Sequence, residues 1–386
     1  MEKDQTIIIG AGIGGLVSAA LLSARGVPVT VLEKEKSAGG KVRQLDVEGA
    51  AIDAGPTVFT MRDVIDEIFA AAGSSSDDHL QLERADTLAR HAWSRDERLD
   101  LFADPEKSAD AIGQFAGARA AAGYRSFSKE AERIYKILDR SMLRNSKVSW
   151  PLPLMWRIGL WRVGDLIAIR PYESLWKVLG EHFDDPRLQQ LFGRYTTYCG
   201  SSPFQTPATL MLIAHVESRG VWKIRGGMNS LAHAIETVAK KNGARFRYHA
   251  RVTRIAVAKN RATGVQLASG EWIEAGSVIC NADPSALGSG HFGVEASQAV
   301  SAMPMHKRSL SAMVWLAKTR TSGFDLDHHN VFFSSDYPAE FDDIGAGKPP
   351  GQPTAYVCKL GDAESDGAQR LQIIVNAPAN GDHHDY

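Results

Sequence analysis

The first forty residues follow an apolar, small-residue, apolar pattern that predicts a strand, a helix and a second strand. The run QTIIIG at 5–10 is short, apolar and rich in β-branched residues, which favours a buried strand. Residues 12–25 predict a helix that Gly26 ends. The segment PVTVLEK at 28–34 predicts the next strand. This order is typical of a right-handed unit of two parallel strands joined by a helix.

Further along the chain, the periodicity predicts helices in the first half and several strands near the end. The predicted elements are a helix at 60–73, a hairpin at 90–102, mostly helix from 105 to 195, a glycine turn with a helix and strands over 225–260, one strand within 271–283, and strands at 305–317, 329–335, 354–360 and 371–377. The chain is therefore expected to leave the domain formed by the first strands and helix and to return to it later, which predicts interleaved domains.

A glycine-rich turn joins the first predicted strand to the first predicted helix. The residues Gly10-Ala11-Gly12-Ile13-Gly14-Gly15 match G-x-G-x-x-G. In this motif, Gly10 permits the tight turn, Gly12 lets a pyrophosphate approach the backbone, and Gly15 lets the helix pack on the strand. Glycines also occur in ordinary strand-to-helix turns. The strand before the motif and the helix after it favour a dinucleotide site.

An acidic residue ends the second predicted strand, as the dinucleotide fingerprint requires. Glu33 is placed to accept hydrogen bonds from the ribose hydroxyls of an adenosine, and Lys34 follows it. A carboxylate there would repel a 2′-phosphate, which disfavours NADP. The alternative is a solvated charge at a strand end.

A second glycine loop follows within a few residues. Two glycine-rich turns so close together, one with basic side chains, suit a cofactor longer than NAD. The alternative is an ordinary turn with a solvated Arg43. The candidate residues are Gly39, Gly40, Lys41, Arg43, Gly55, Pro56 and Thr57.

Composition narrows the class of protein. With 44% hydrophobic and 23% charged residues, the chain of 386 residues is ordinary globular protein. Lys and Arg number 44 against 45 Asp and Glu, so no basic excess favours nucleic acid as a partner. Three scattered cysteines predict neither a disulfide framework nor zinc, and indicate a reducing compartment. The histidine pairs 328–329 and 383–384 are adjacent rather than spaced, so no metal is expected.

The segments VLEKEKSAGGKVRQ (31–44) and DAGPT (53–57) resemble the flavin amine oxidase and phytoene desaturase superfamily. The resemblance implies FAD as cofactor, with the second glycine loop flanking the ribityl and pyrophosphate groups. Val252 matches a position whose backbone contacts the adenine. The implied fold is α/β, a Rossmann-type FAD-binding domain interleaved with a mixed-sheet substrate domain and a helical, membrane-docking subdomain. The expected FAD-binding domain comprises residues 1–75 and 222–290. The substrate domain comprises 76–104 and 291–386, and the helical subdomain comprises 105–221.

Within that superfamily, the middle and end of the chain resemble bacterial carotenoid desaturases. The segments are YTTYCGSSPF (195–204), HVESRGVW (215–222), RGGM (225–228) and VNAPA (375–379). They are most similar to the hydroxyneurosporene desaturases, which implies 3,4-desaturation of an acyclic 1-hydroxycarotenoid by hydride transfer to flavin N5. Family members end with a further glycine-rich segment beside the flavin. No such segment occurs here, so the resemblance predicts a chain shortened at its C-terminus, with the last part of the FAD domain absent.

A polyene offers nothing to ionise, and the flavin carries the difficult chemistry. His215, His233 and His249 could accept the proton, but each suits a structural or exposed role better, and no catalytic residue is assigned. Three other functions stay open: phytoene desaturation, amine oxidation, and non-catalytic isoprenoid binding.

A helical stripe suggests how the protein meets a lipid-soluble substrate. Trp156, Leu160, Val163 and Ile167 recur at helical spacing, with tryptophan and arginine around them. This composition suits a helix lying in a membrane interface, although a core-facing stripe has the same spacing. The chain has no secretory signal pattern and no apolar run of about 18 residues. The expected location is cytoplasmic, on the surface of the inner (photosynthetic) membrane.

Overall fold

A computed structural model describes residues 5–139, 143–144, 168–361, 363, 365 and 367–382. The chain divides into two compact units, each made of two separate stretches. The first unit contains the residues up to Glu83 together with Trp222–Arg308. The second contains Arg84–Val221 and the residues from Ser309 onward. The chain therefore leaves the first unit and returns to it.

Eleven short strands and five helices are found in the described part of the first unit. The strands are β1 (Thr6–Ile9), β2 (Val29–Leu32), β3 (Gln44–Val47), β4 (Ala50–Asp53), β5 (Leu82–Arg84), β8 (Trp222–Ile224), β9 (Arg245–Arg247), β10 (Val252–Ala258), β11 (Arg261–Leu267), β12 (Trp272–Glu274) and β13 (Ser277–Cys280). The helices are α1 (Ile13–Ser23), α2 (Arg62–Ala71), α8 (Asn229–Lys241), α9 (Pro284–Gly288) and α10 (Val294–Ser297), with 3-10 turns at Ser76–Asp78 and Met305–Lys307.

A four-stranded parallel sheet with the order β13-β1-β2-β9 forms the centre of this unit. Successive side chains of a strand point to opposite faces, so each strand is buried on both sides. Ile8 packs with the helices α1 and α8, where Ala19 and Ala239 are fully buried and allow close contact. Ile7 and Ile9 pack on the other face, against the antiparallel sheet β10-β11-β12.

The described residues of the second unit form the remaining six strands and six helices. The strands are β6 (Thr87–Ala92), β7 (Arg98–Phe102), β14 (Ser311–Thr319), β15 (His329–Phe332), β16 (Ala355–Lys359) and β17 (Gln369–Ala377). The helices are α3 (Pro105–Ala116), α4 (Ala118–Leu138), α5 (Leu175–His182), α6 (Pro186–Gly193), α7 (Leu212–Ser218) and α11 (Tyr337–Gly345), with 3-10 turns at Arg194–Cys199 and Ala208–Met211.

A six-stranded mixed sheet, ordered β14-β17-β16-β15-β6-β7, is the frame of the second unit. Helix α4 buries residues at every third or fourth position, as an amphipathic helix does. Its Phe127 contacts Phe192 and Phe183, with ring centroids 4.7 and 5.7 Å away. These three aromatic side chains are almost fully buried and form the centre of the helical layer.

The structure confirms the predicted strand, helix and strand at the start of the chain, the helix near 60–73 and the hairpin at 90–102. Two strand predictions need correction. Residues 271–283 form two strands in different sheets, because the chain turns at Ala275-Gly276 between them. The strand expected from 305 begins at Ser311, since a 3-10 turn at Met305–Lys307 precedes it.

No helix among the described residues combines the length and the apolarity needed to cross a membrane. The stripe of Trp156, Leu160, Val163 and Ile167 lies outside the described residues.

Candidate functional site

The parallel sheet of the first unit places two predicted features and one further polar residue at one edge. Strand β1 is followed on one side by β2 and on the other by β13, so the strand order reverses at β1. Ligands of open parallel sheets bind at such a reversal, beyond the carboxyl ends of the strands. The first glycine loop follows β1, Glu33 follows β2 and Asn281 follows β13. The fold therefore brings these residues together where a dinucleotide would bind.

Each glycine of the first loop stands at its position for a different structural reason. Gly10 has φ +96°, which favours glycine. A Cβ on Gly15 would lie 2.1 Å from the carbonyl oxygen of Gly10, so the close packing of α1 on β1 excludes any side chain. A Cβ on Gly12 would meet only the Asn281 amide nitrogen at 3.1 Å, and one on Gly14 would approach the Asn281 amide oxygen. Gly12 thus leaves open backbone beside the first turn of α1.

The second glycine loop lies directly against the first. The Gly39 backbone N–H donates a hydrogen bond to the Ala11 carbonyl oxygen at 2.9 Å. A Cβ on Gly40 would lie 3.0 Å from the Gly12 Cα atom. Two turns separated by a helix and a strand therefore form one continuous backbone surface, as expected if both contact a single extended cofactor.

The remaining candidates lie around this pair of loops. A Cβ on Gly55 would collide with the Lys41 carbonyl oxygen at 1.7 Å, so Gly55 allows β4 to pass close to the second loop. Thr57 is buried and Pro56 is exposed. The side chains of Lys41, Arg43 and Lys34 are exposed, and Lys34 pairs with Glu35 at 3.7 Å.

The carboxylate of Glu33 is buried and connects three segments of backbone. Its Oε2 accepts a hydrogen bond from the Ala11 N–H at 2.6 Å, and its Oε1 accepts one from the Glu35 N–H at 2.9 Å. Its own carbonyl oxygen accepts from the Ala250 N–H at 2.8 Å. Each carboxylate oxygen has a second acceptor position, so Glu33 can hold the glycine loop and still bind a ribose hydroxyl.

Val252 begins strand β10, and its side chain is buried in the apolar layer beneath the parallel sheet. The segment that leads to it runs alongside Glu33 through Ala250. Its backbone is therefore near the adenosine end of the site, and its side chain belongs to the core.

Sequence reasoning missed three polar residues that shape this site. Asn281 lies over the first loop, and its backbone N–H donates to the Ile9 carbonyl oxygen. Asp53 accepts from the Met228 N–H at 2.7 Å, and the Asn229 amide donates to the Val42 carbonyl oxygen at 2.6 Å. The signal for Asn281 was its position directly after a strand, before Asp283, whose side chain caps α9. Nothing in the sequence signals the contacts of Asp53 and Asn229.

These residues fit an anionic dinucleotide. The open N-terminus of α1 presents backbone N–H groups and the positive end of the helix dipole. Glu33 supplies an acceptor for a sugar hydroxyl, and exposed Lys41 and Arg43 supply positive charge close by. None of the described residues around the loops is arranged as a nucleophile and base.

The second unit has a cavity of about 330 Å³ between its sheet and its helices. The walls are apolar and aromatic, and charged side chains border them. The apolar and aromatic residues include Leu88, Leu101, Tyr124, Phe192 and Tyr195. The bordering polar residues include Arg125, Lys129, Glu132, His215 and Ser218. This composition suits an apolar ligand with a polar end.

The three histidines considered as proton acceptors lie in different places. His215 borders the cavity on α7, and burial lowers the pKa of its imidazole, which favours the neutral form. His233 lies in the first unit on α8, with Nδ1 3.4 Å from the Glu236 carboxylate. His249 is exposed near Glu33 and has φ +53°. Only His215 of these three touches the cavity.

Beside Tyr195 in the cavity wall lies a cluster of polar side chains formed by Tyr198, Glu217 and Arg194. The hydroxyl of Tyr198 donates a hydrogen bond to the Glu217 carboxylate at 2.8 Å. Burial raises the pKa of Glu217, and the nearby Arg194 guanidinium acts in the opposite direction. Burial likewise raises the pKa of Tyr195 well above its ordinary value. These charges stay buried only because they face one another.

Comparison with known proteins gives a consistent result. Residues 13–312 match the family described as flavin containing amine oxidoreductase. The chain is 46% identical to the hydroxyneurosporene desaturase of Rubrivivax gelatinosus, over 99% of this chain and 74% of that protein. It is 42% identical to the hydroxyneurosporene desaturase of Rhodobacter capsulatus, over 98% of this chain and 77% of that protein. A zeta-carotene-forming phytoene desaturase of Myxococcus xanthus is 31% identical, over 98% of this chain and 73% of that protein.

Solved structures share the fold. An oxidoreductase from Methanosarcina mazei superposes with a TM-score of 0.61 at 17% identity, covering 98% of this chain and 80% of that one. At such low identity the likeness concerns architecture alone.

Proposed function

The chain belongs to the flavin containing amine oxidoreductase family and, within it, to the carotenoid desaturases, and we propose that it desaturates an acyclic 1-hydroxycarotenoid at C-3,4. The substrate class is that of 1-hydroxyneurosporene. The observation that carries this proposal is the 46% identity to a hydroxyneurosporene desaturase over nearly the whole chain. Identity to a phytoene desaturase is lower, at 31%, which favours the hydroxylated substrate over phytoene.

FAD is the cofactor, and the geometry of the two glycine loops suits it. Gly12, Gly39 and Gly40 would hold the pyrophosphate on their shared backbone surface, and Glu33 would bind the ribose of the adenosine. Lys41 and Arg43 would supply positive charge beside the bound cofactor. When bound, FAD supplies a hydride acceptor at flavin N5, which the protein's own side chains lack.

The protein's part in the reaction is to bind and orient the polyene and to exclude water. Desaturation breaks one C–H bond on each of two adjacent carbons and forms the C=C bond. Bound FAD would supply the acceptor for the hydride, and the proton needs a separate acceptor. Leu88, Phe192 and the ring of Tyr195 give the cavity apolar surface for the polyene. A neutral His215 at the border of the cavity is a candidate acceptor for the proton.

Two other functions use the same fold and are less well supported. An amine oxidase would act on a small cationic substrate, but the relatives at 46% and 42% identity are named desaturases. A non-catalytic isoprenoid carrier would have no need of the glycine surface that both loops preserve.

Pigment analysis in a bacterial host tests the proposed function. A host that makes 1-hydroxyneurosporene should gain a 3,4-desaturated product, which absorbs further to the red because its conjugation is longer. Hosts that make only phytoene or only neurosporene serve as matched controls and should show little conversion. Conversion of phytoene with no change in 1-hydroxyneurosporene would support the family and contradict the proposed substrate.

We also propose peripheral association with the inner (photosynthetic) membrane, where such a substrate dissolves. The support is the stripe of Trp156, Leu160, Val163 and Ile167 together with the apolar nature of a carotenoid. This proposal is separate from the assignment of the reaction.

Changing Trp156 and Leu160 to Glu should release the protein from vesicles in a flotation assay. A charge inserted at the apolar stripe opposes burial in lipid. The control is Leu45→Glu, at an exposed position in the first unit, which should still float. Continued flotation of a folded double variant would contradict the docking stripe, and loss of folding would place these side chains in a protein core.

A further inference from the structure

We propose that the second unit carries a metal site of the zinc class, formed by His328, His329 and Cys358. The ligand-type atoms of these three side chains all lie within 4.8 Å of one another. The sequence predicted no metal, because His328 and His329 are merely adjacent and Cys358 lies on another strand. The fold supplies the third ligand. This proposal is independent of the desaturase activity.

The register of two strands explains how the residues meet. His329 begins β15 and stands directly opposite Cys358 of β16 in the antiparallel pair. Side chains at opposed positions share a face, with Cβ atoms about 4.5–5.5 Å apart. His328 lies before the strand begins, where side chains need not alternate between the two faces of the sheet. Its ring can therefore lie on the same face as His329 and Cys358. Its Nε2 lies 3.8 Å from the Cys358 Sγ, and its ring centroid lies 4.4 Å from that of His329.

The donor atoms select the kind of cation. A thiolate with two imidazoles suits Zn²⁺, Co²⁺ or copper, whereas Ca²⁺ and Mg²⁺ prefer oxygen ligands. The cluster formed by the described residues contains no carboxylate. Three protein ligands leave a fourth tetrahedral position for a water molecule.

The surroundings resemble those of a built metal site. The Nδ1 of His329 lies 2.6 Å from the Tyr356 hydroxyl, the kind of outer contact that fixes the orientation of a ligating imidazole. Because Nδ1 makes this contact, Nε2 is the ring nitrogen of His329 that would bind the metal. Cys358 is fully buried and His329 is 3% exposed, while the half-buried His328 gives an ion a way in. The His328 carbonyl oxygen accepts from the Lys359 N–H at 2.9 Å, which holds its backbone against β16.

A bound ion would join the segment before β15 to β16. Without an ion, the same approach of Cys358 to His328 would be a weak hydrogen bond between a thiol and an imidazole. The two cases differ in stoichiometry and in spectrum, so a binding experiment separates them.

The experiment is a Co²⁺ titration of the full-length, tag-free protein after treatment with a chelator. We expect one equivalent of Co²⁺ to produce a thiolate-to-cobalt charge-transfer band and strong visible bands of a tetrahedral ion, read as a difference spectrum. Zn²⁺ should abolish both. A mercurial that blocks thiols should release one equivalent of Zn²⁺ from the zinc-loaded protein. No saturable binding, or binding without a thiolate band, would overturn the proposal.

Variants locate the site. Cys358→Ser should remove the charge-transfer band, and Cys358→Ser and His329→Gln should each weaken Co²⁺ binding by about a hundredfold or more, since losing a ligand exceeds the 10–100-fold cost of losing an outer contact. Cys280→Ser, in the first unit, is the matched thiol control. His383→Gln with His384→Gln is the control for the terminal histidine pair, and both controls should bind as the unchanged protein does. Loss of the band in either control, with Cys358→Ser unaffected, would place the metal elsewhere.

Discussion

Gly12→Val should abolish FAD binding while the protein remains folded. A side chain at this position adds bulk beside Asn281 on the turn where the pyrophosphate must approach the backbone. Its Cβ would meet only the end of the Asn281 side chain, at 3.1 Å, so the fold can adjust. We expect FAD affinity to fall more than a hundredfold in a fluorescence titration, with the circular dichroism spectrum unchanged.

The neighbouring glycines provide the comparison that makes this result specific. Gly15→Val should instead reduce stability, because its Cβ would lie 2.1 Å from the Gly10 carbonyl oxygen and backbone must move. Gly345→Val, at an exposed helix end with open space around it, is the control for the substitution itself. If Gly12→Val kept the flavin absorbance of the unchanged protein, the first glycine loop would not be the cofactor site.

Glu33→Gln should weaken FAD binding about tenfold to a hundredfold. Both carboxylate oxygens face backbone N–H donors, those of Ala11 and Glu35. An amide has only one oxygen, so its NH₂ group must face one of these donors. Leaving a buried donor unsatisfied lowers the free energy of unfolding by about 1–3 kcal/mol. Loss of the charged partner for the ribose hydroxyl lowers the binding free energy by about 1.5–3 kcal/mol, and about 1.4 kcal/mol corresponds to a factor of ten. The first glycine loop should shift, and the ribose should lose its charged partner.

The readout is the FAD dissociation constant together with the thermal unfolding midpoint. Glu274→Gln, an exposed position in the same unit, is the matched control and should change neither. An FAD dissociation constant unaffected by Glu33→Gln would contradict the role assigned to Glu33.

The sequence was sufficient for features that depend on neighbouring residues. The strand, glycine turn and helix at 5–25 are encoded locally, and so is Glu33 at the end of β2. The sequence predicted one strand within 271–283, and only the pairing of β13 with β1 shows that the second half is a separate strand of the parallel sheet. A single sequence contains no record of such pairing.

The parts of the site that could not be predicted depend on contacts between distant segments. Asn281 reaches the first glycine loop only because β13 lies next to β1. Cys358 meets His328 and His329 only through the register of β15 and β16. The cavity in the second unit is lined by residues between Leu88 and Ser218, which are far apart along the sequence and meet only in the folded unit. Periodicity predicts an element and its buried face, but it does not specify the partner.

Anaerobic mixing of the FAD-loaded protein with 1-hydroxyneurosporene in lipid vesicles tests the central claim most directly. We predict that the flavin absorbance bleaches while the carotenoid spectrum shifts to the red, with one flavin reduced for each double bond formed. Neurosporene, which lacks the hydroxyl group, should bleach the flavin far more slowly. Bleaching by an amine but not by 1-hydroxyneurosporene, or an FAD-loaded protein that no carotenoid reduces, would contradict the account.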